Sequence, residues 1–219
     1  MANPTVVGIG GFPDDPLLDY VLGLARGPRL LYVGTAAMED PAMTLELVGR
    51  LRGRAEVSDL TFRPWPPPDL RAFALEHDVI LVGGGSTANM LAVWRVHGFD
   101  GVLREAWREG VVLTGWSAGM ICWFEAGVTD SFGPQLEGMR DGLGLLPGSA
   151  CPHYDGEDRR RPVYRELVAG GFPAGIALDD AAAARYDGTE LVEVVSSSPG
   201  ARGYRVSADG EEPIEARPI

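Results

Sequence analysis

Four short runs of apolar, largely β-branched residues, each stopping at glycine, narrow the folds open to this chain more than any other feature. They are Thr5-Val6-Val7-Gly8-Ile9-Gly10-Gly11, Arg29-Leu30-Leu31-Tyr32-Val33-Gly34-Thr35, Val79-Ile80-Leu81-Val82 with Gly83-Gly84-Gly85-Ser86-Thr87 behind it, and Val111-Val112-Leu113-Thr114-Gly115. A strand without polar alternation is covered on both faces, which is the property of a parallel sheet held between helices. Amphipathic segments occupy the intervals: Pro16 to Ala25, Met43 to Arg52, a stretch containing Met90, Leu91 and Trp94, and Gly101 to Arg108. The pattern predicts an α/β fold with a doubly wound, mostly parallel sheet and helices on both faces. Ligands of such sheets sit outside the carboxyl ends of the strands, so Gly10-Gly11, Thr35, Gly83 to Ser86 and Ser117 are expected along one edge.

The remaining segments fit the same scheme. Glu56 to Phe62 reads as a further strand, Gly175 to Leu178 and Leu191 to Ser196 as late strands, and Pro199-Gly200 as a turn before a final strand at Gly203 to Val206. Pro64-Trp65-Pro66-Pro67-Pro68 is a connection, because each proline removes a backbone donor. The 219 residues suit one sizeable domain over residues 1–219.

Charge excludes one class of partner. Nineteen basic against thirty-one acidic side chains leave a net charge of -12, the opposite of what a phosphate backbone requires, so no nucleic acid is expected. The basic run Arg159-Arg160-Arg161 is either a small-anion site or a solvated helix start. No secretion signal and no apolar run of about 18 residues are recognisable, so membrane insertion is not expected and the cytoplasm is the expected location. Cys122 and Cys151 form no metal-ligand pattern and read as reduced packing residues. No metal or organic cofactor is implied, and the oligomeric state is left open.

Gly115-Trp116-Ser117-Ala118-Gly119 matches G-x-S-x-G, in which a serine sits on a strained strand-to-helix turn with its hydroxyl exposed. The buried run before it supplies the strand, and Met120 to Phe124 can start the helix. A helix N-cap serine is the competing reading. A serine nucleophile needs a base, and the chain has three histidines. His77, between Glu76 and Asp78, reads as a solvated surface residue, and His97 as the C-terminal residue of a helix. His153, in the loop Pro152-His153-Tyr154-Asp155-Gly156, is the favoured base. The oxyanion formed on attack would meet the Ala118 N–H and an N–H from Gly84 or Gly85. A phosphate cradle is the rival use of Gly83 to Thr87, weakened by the lack of a P-loop lysine.

At these residues the chain resembles the peptidase E family (peptidase family S51), the dipeptidase E and cyanophycinase-like serine peptidases. The similarity runs from Val33-Gly34-Thr35 through the triple glycine, the serine elbow and Pro152-His153-Tyr154 to the arginine run. The resemblance implies a fold like the class I glutamine amidotransferase domain, with Ser117 as nucleophile, His153 as base, and Gly85 and Ala118 as oxyanion donors. It offers two carboxylates for the third member of a triad, Asp130 and Glu125. If the helix after Ser117 ran unbroken, Glu125 would lie ~12 Å along its axis from the serine, which favours Asp130. Arg160 stands near the position that meets an acidic substrate side chain in dipeptidase E, with Gly84 and Ser86 beside the substrate. The expected activity is hydrolysis of short peptides through an acyl-enzyme. A different acyl-transfer hydrolase, an esterase or amidase, and an inactive small-molecule or peptide-binding homologue are the alternatives.

Overall fold

The computed structural model describes residues 4–219. Its first half alternates strand with helix, with two helices before the last strand: β1 (Thr5–Ile9), α1 (Asp15–Leu24), β2 (Arg29–Val33), α2 (Pro41–Leu51), β3 (Glu56–Leu60), α3 (Leu70–Leu75), β4 (Val79–Val82), α4 (Thr87–His97), α5 (Phe99–Arg108) and β5 (Val112–Trp116). Local chemistry starts the helices where they start. The Asp14, Asp40 and Ser86 side chains accept from the Leu17, Ala42 and Asn89 N–H groups at the beginnings of α1, α2 and α4, meeting donors that have no partner within the helix.

The five strands pair in parallel in the order β3-β2-β4-β5-β1, and their uniform apolarity has a direct cause. Val6, Leu31, Val33, Ile80, Val82 and Leu113 pack toward α4 and α5 through Met90, Trp94, Phe99 and Leu103. Their neighbours Val7, Ile9, Leu30, Tyr32, Val79, Leu81 and Val112 pack toward α1 and α2 through Leu17, Val21, Leu47 and Leu51. This is the doubly wound arrangement. The chain runs outward from β2 to β3 and then returns to β4 and β5, so the loops after β2 and β4 leave in opposite directions. The two loops are tied to each other where they begin: the Gly83 N–H donates to the Val33 carbonyl at 3.1 Å and the Ser86 N–H to the Ala36 carbonyl at 2.9 Å.

The second half is richer in strands than its sequence suggests. After α6 (Ala118–Ile121) come β6 (Phe124–Thr129), β7 (Glu137–Met139), β8 (Leu146–Cys151), α7 (Arg160–Ala169), β9 (Gly175–Leu178), β10 (Ala182–Asp187), β11 (Glu190–Ser196), β12 (Gly203–Ser207), β13 (Gly210–Ile214) and β14 (Ala216–Pro218). Strands β10, β11 and β14 extend the first sheet beyond β1, with β10 antiparallel to β1. The others form a six-stranded sheet, β13-β12-β9-β8-β6-β7, which α7 covers through Tyr164 and Val168.

The structure differs from the sequence pattern at three places. The helix after Ser117 does not continue to Phe124. It stops at Ile121 because the Cys122 and Trp123 carbonyls accept from Leu143, Leu145 and Leu146 instead, and the chain crosses into the second sheet. The strand at Gly203 is not the last, since β13 and β14 follow it. His77 is buried rather than solvated: its ring packs on Phe73 with centroids 5.2 Å apart, and Nδ1 lies 2.8 Å from the Phe73 carbonyl. Burial pushes its pKa down. Cys122 and Cys151 are free and buried, and burial raises both thiols, Cys151 to about 12.

Candidate active site

The site is assembled at the carboxyl end of β1, between β5 and the loop after β8. Strand β5 is buried throughout and delivers Ser117 in a backbone conformation that side-chain-bearing residues rarely adopt, φ 55° and ψ -114°. Glycine at 119 is a steric requirement, because a Cβ there would stand 2.2 Å from the Val82 carbonyl oxygen. The Ser117 side chain does not cap α6, so the N-cap use of this serine is not what is found. Its backbone instead ties the elbow down: Ser117 N–H donates to the Ile9 carbonyl at 3.3 Å, and its own carbonyl accepts from Met120 and Ile121.

His153 is placed from the other side of β1. It follows β8 and Pro152, adopts φ 54°, and donates its N–H to the Gly10 carbonyl at 3.2 Å. Consecutive carbonyls of one strand end, those of Ile9 and Gly10, therefore hold the backbones of Ser117 and His153. The imidazole Nδ1 lies 2.6 Å from Asp180 Oδ1. A carboxylate only accepts, so Nδ1 carries the proton and Nε2 is left as the basic nitrogen. The His153 side chain is 20% exposed and that of Asp180 50%, so the pair faces solvent on one side. Asp180 is itself fixed by its N–H, which donates to Asp155 Oδ1 at 2.9 Å.

The carboxylates expected from the sequence stand elsewhere. Asp130 follows β6, exposed on the wall of a cleft of about 370 Å³ that it shares with Gly85, Ser86, Asn89, Ser117, Glu157 and Arg160. Glu125 lies within β6 and accepts from the Gly148 N–H at 2.9 Å, bracing the second sheet. Asp180 was not singled out in the sequence. The one signal for it is an acidic pair, Asp179-Asp180, directly after the apolar run Gly175 to Leu178, at the strand end where such folds place functional residues.

The glycine loop borders Ser117 as expected. A Cβ on Gly84 would come within 3.2 Å of the Ser117 Cβ, and one on Gly85, whose φ is 131°, would clash with the Ala36 carbonyl oxygen at 2.2 Å. Among the described residues, neither Gly85 nor Ala118 donates its N–H to a backbone carbonyl of the chain. Ser86 uses its hydroxyl to cap α4 through Asn89 N–H at 3.3 Å.

The arginine run is divided rather than clustered. Arg159 donates to the Pro134 carbonyl, and Arg161 pairs with Glu211. Arg160, only 3% exposed, donates from Nε to Glu157 Oε2 at 2.8 Å and from Nη1 to the Val128 carbonyl at 2.8 Å. Burial raises the Glu157 carboxyl, but the hydrogen bond and charge of Arg160 outweigh it and leave the group below its usual value. Among the described residues no group of three or more His, Cys, Asp or Glu side chains is arranged to hold a metal ion. No helix among them is long and apolar enough to cross a membrane.

The model of peptidase family S51 matches residues 10–194, which include the elbow, the glycine loop, His153 and Asp180. The chain belongs to peptidase family S51. A relative in Bacillus subtilis (strain 168), the uncharacterized peptidase YgaJ, is 44% identical, and the match spans 94% of this chain and 92% of that protein. Two solved structures share the fold at lower identity. A peptidase from an acI-B1 Actinobacterium is 16% identical with a TM-score of 0.69, covering 98% of this chain and 95% of its own. A Listeria monocytogenes EGD-e protein assigned to peptidase E is 17% identical with a TM-score of 0.65, covering 90% of this chain and all of its own. Membership of S51 makes the chain a peptidase, with peptides as its substrates.

Proposed function

We propose that this S51 peptidase is a serine peptidase that cleaves short peptides through an acyl-enzyme. The observation that carries the reading is the 2.6 Å contact of His153 Nδ1 with Asp180. It sets a basic Nε2 on the residue whose backbone is anchored beside that of Ser117 at the end of β1. Ser117 Oγ attacks the scissile carbonyl carbon while His153 Nε2 takes its proton, and Asp180 stabilises the imidazolium that forms. The tetrahedral oxygen accepts from the Ala118 and Gly85 N–H groups. Collapse breaks the C–N bond, and the proton passes from His153 to the leaving amine. Water then enters, gives a proton to His153, and releases the acyl group by the same route. Asp180 takes the place offered above to Asp130 or Glu125, and Asp130 becomes a wall of the substrate cleft.

Substrate charge is the second part of the reading. Asp130, Glu157 and Arg160 are the charged residues of the cleft, two carboxylates against one guanidinium, and the guanidinium is already engaged by Glu157. This supports neutral or cationic substrate residues over acidic ones, so the carboxylate-binding role of Arg160 finds less support than the sequence suggested. A fluorophosphonate probe should label the wild type and not Ser117→Ala. Profiling free and N-blocked dipeptides then reads preference: Lys- or Arg-led peptides should turn over faster than Asp-led ones. Absence of labelling in folded protein would remove the serine mechanism; a strong Asp preference would return Arg160 to its first role.

A further inference from the structure

The hairpin of β12 and β13 lies beyond residue 194, where the family match ends, yet it grips the chain on both sides of the His153–Asp180 pair. On the histidine side, the Tyr154 hydroxyl donates to Glu211 Oε2 at 2.6 Å. Arg161 closes on the same carboxylate, with Nε 3.2 Å from Oε2 and Nη2 on Oε1. Its guanidinium lies over the Tyr154 and Tyr204 rings, 5.4 and 5.1 Å from their centroids. On the aspartate side, β12 pairs antiparallel with β9. There Asp179 N–H donates to the Arg202 carbonyl at 3.1 Å, and Arg202 N–H donates to Asp179 Oδ2 at 2.9 Å. The residue after His153 is thus fastened to the hairpin, and the residue before Asp180 to Arg202, which leads directly into it. His153 also holds a left-handed backbone, φ 54°, a conformation that persists only where the surroundings over-determine it.

We infer that the β12–β13 hairpin is a bracket that sets the His153–Asp180 geometry, with Glu211 as its positioning residue. Glu211 reaches the base only through Tyr154. The inference rests on the Ser117–His153 mechanism proposed above and adds to it a function for a segment outside the matched family region. A packing role alone makes a different prediction, because loss of Glu211 would then lower stability and leave the chemistry of the folded protein unchanged.

The test uses the full chain and a fluorophosphonate, whose reaction with Ser117 requires the base. Labelling rates are measured for wild type, Glu211→Gln, Tyr154→Phe and the double variant from about pH 5 to pH 9, across the imidazole titration, with a thermal melt of each. The other carboxylates near His153, namely Asp180, Asp155 and Glu157, are unchanged in every variant. The expected result is labelling slowed about tenfold or more in each single variant, as for loss of one hydrogen bond to a charged group. The acid limb of the profile moves, and the double variant falls by less than the product of the two single effects, because both changes act on the Tyr154–Glu211 bond. Wild-type rates and profile in folded variants overturn the bracket. If Glu211→Gln does not fold, Tyr154→Phe, which deletes only the hydroxyl, decides the matter. An unlabelled wild type refutes the serine mechanism and the inference together, whereas a labelled wild type with unaffected variants refutes the bracket alone.

Discussion

Replacing Asp180 tests the assignment of the third catalytic group most directly. The contact to His153 Nδ1 is short, 2.6 Å, and a hydrogen bond to a charged group contributes about 1.5–3 kcal/mol. With the Asp180 side chain 50% exposed, water takes over part of that interaction in Asp180→Ala, so the lower half of the range applies. At 1.36 kcal/mol per decade, kcat should fall by roughly 13- to 45-fold. Asp180→Asn should lose at least as much, because an amide NH2 facing Nδ1 places the imidazole proton on Nε2 and abolishes the base. A buried triad aspartate changed to asparagine loses about 10⁴ in the worked case of the serine proteases, which bounds the effect from above. KM should change little, since Asp180 is absent from the cleft-lining residues. The assay is steady-state kinetics on the best dipeptide from the profile, with Asp130→Asn as the control. Wild-type kcat in Asp180→Asn together with inactivity in Asp130→Asn would refute the reasoning and make Asp130 the orienting carboxylate. Gly156→Ala offers an independent check: its Cβ would stand 2.2 Å from Asp180 Oδ2, so it should displace the carboxylate and reproduce the loss without altering any charge.

Two further predictions concern stability. Ser117 holds φ 55° and ψ -114°, which costs about 1–3 kcal/mol for a residue with a Cβ; Ser117→Gly should therefore raise the melting temperature by about 2–4 °C per kcal/mol recovered, while Ser117→Ala should not, and equal melts in calorimetry would contradict the strain. Burial raises the Asp179 carboxyl above its ordinary value, and among the described residues its Oδ1 has no hydrogen-bond partner. The folded state then binds this proton more tightly than the unfolded one, so the group costs stability as pH rises from about 4, the unfolded value, through the folded value. Asp179→Asn should be more stable than wild type at pH 7, with the gain gone below about pH 4, and a pH-independent difference between the two melts would reject this.

The parallel half of the molecule was legible because its strands are covered on both faces, which leaves an unbroken apolar run in the sequence. The second sheet was not. Its strands Phe124–Thr129 and Leu146–Cys151 carry glycine or proline within six residues, and nothing local separates FEAGVT from a helix continuing past the elbow. What decides it is a distant event, the capture of the Cys122 and Trp123 carbonyls by residues 143 to 146. The same event bears on the site: a ~12 Å separation of Glu125 from Ser117 holds only for an unbroken helix, and this helix ends at Ile121. Ser117 and the glycine loop were readable because their chemistry demands particular residues at fixed spacing. Asp180 demands only a carboxylate at the end of a strand, and the sheet pairing that carries β9 to β8 leaves no trace in the local sequence.

The seating of Ser117 and His153 on neighbouring carbonyls of β1 has a consequence for how this molecule can diversify. Both backbones take their positions from a strand buried in the middle of the sheet, whereas Asp130 and Ser131, which help shape the cleft, belong to the segments around the β6–β7 connection, in the other sheet. Insertions or exchanges in those segments can redraw the recognised residue while the reacting pair keeps its spacing. The strand end acts as a common datum for the chemistry, and specificity is free to drift around it.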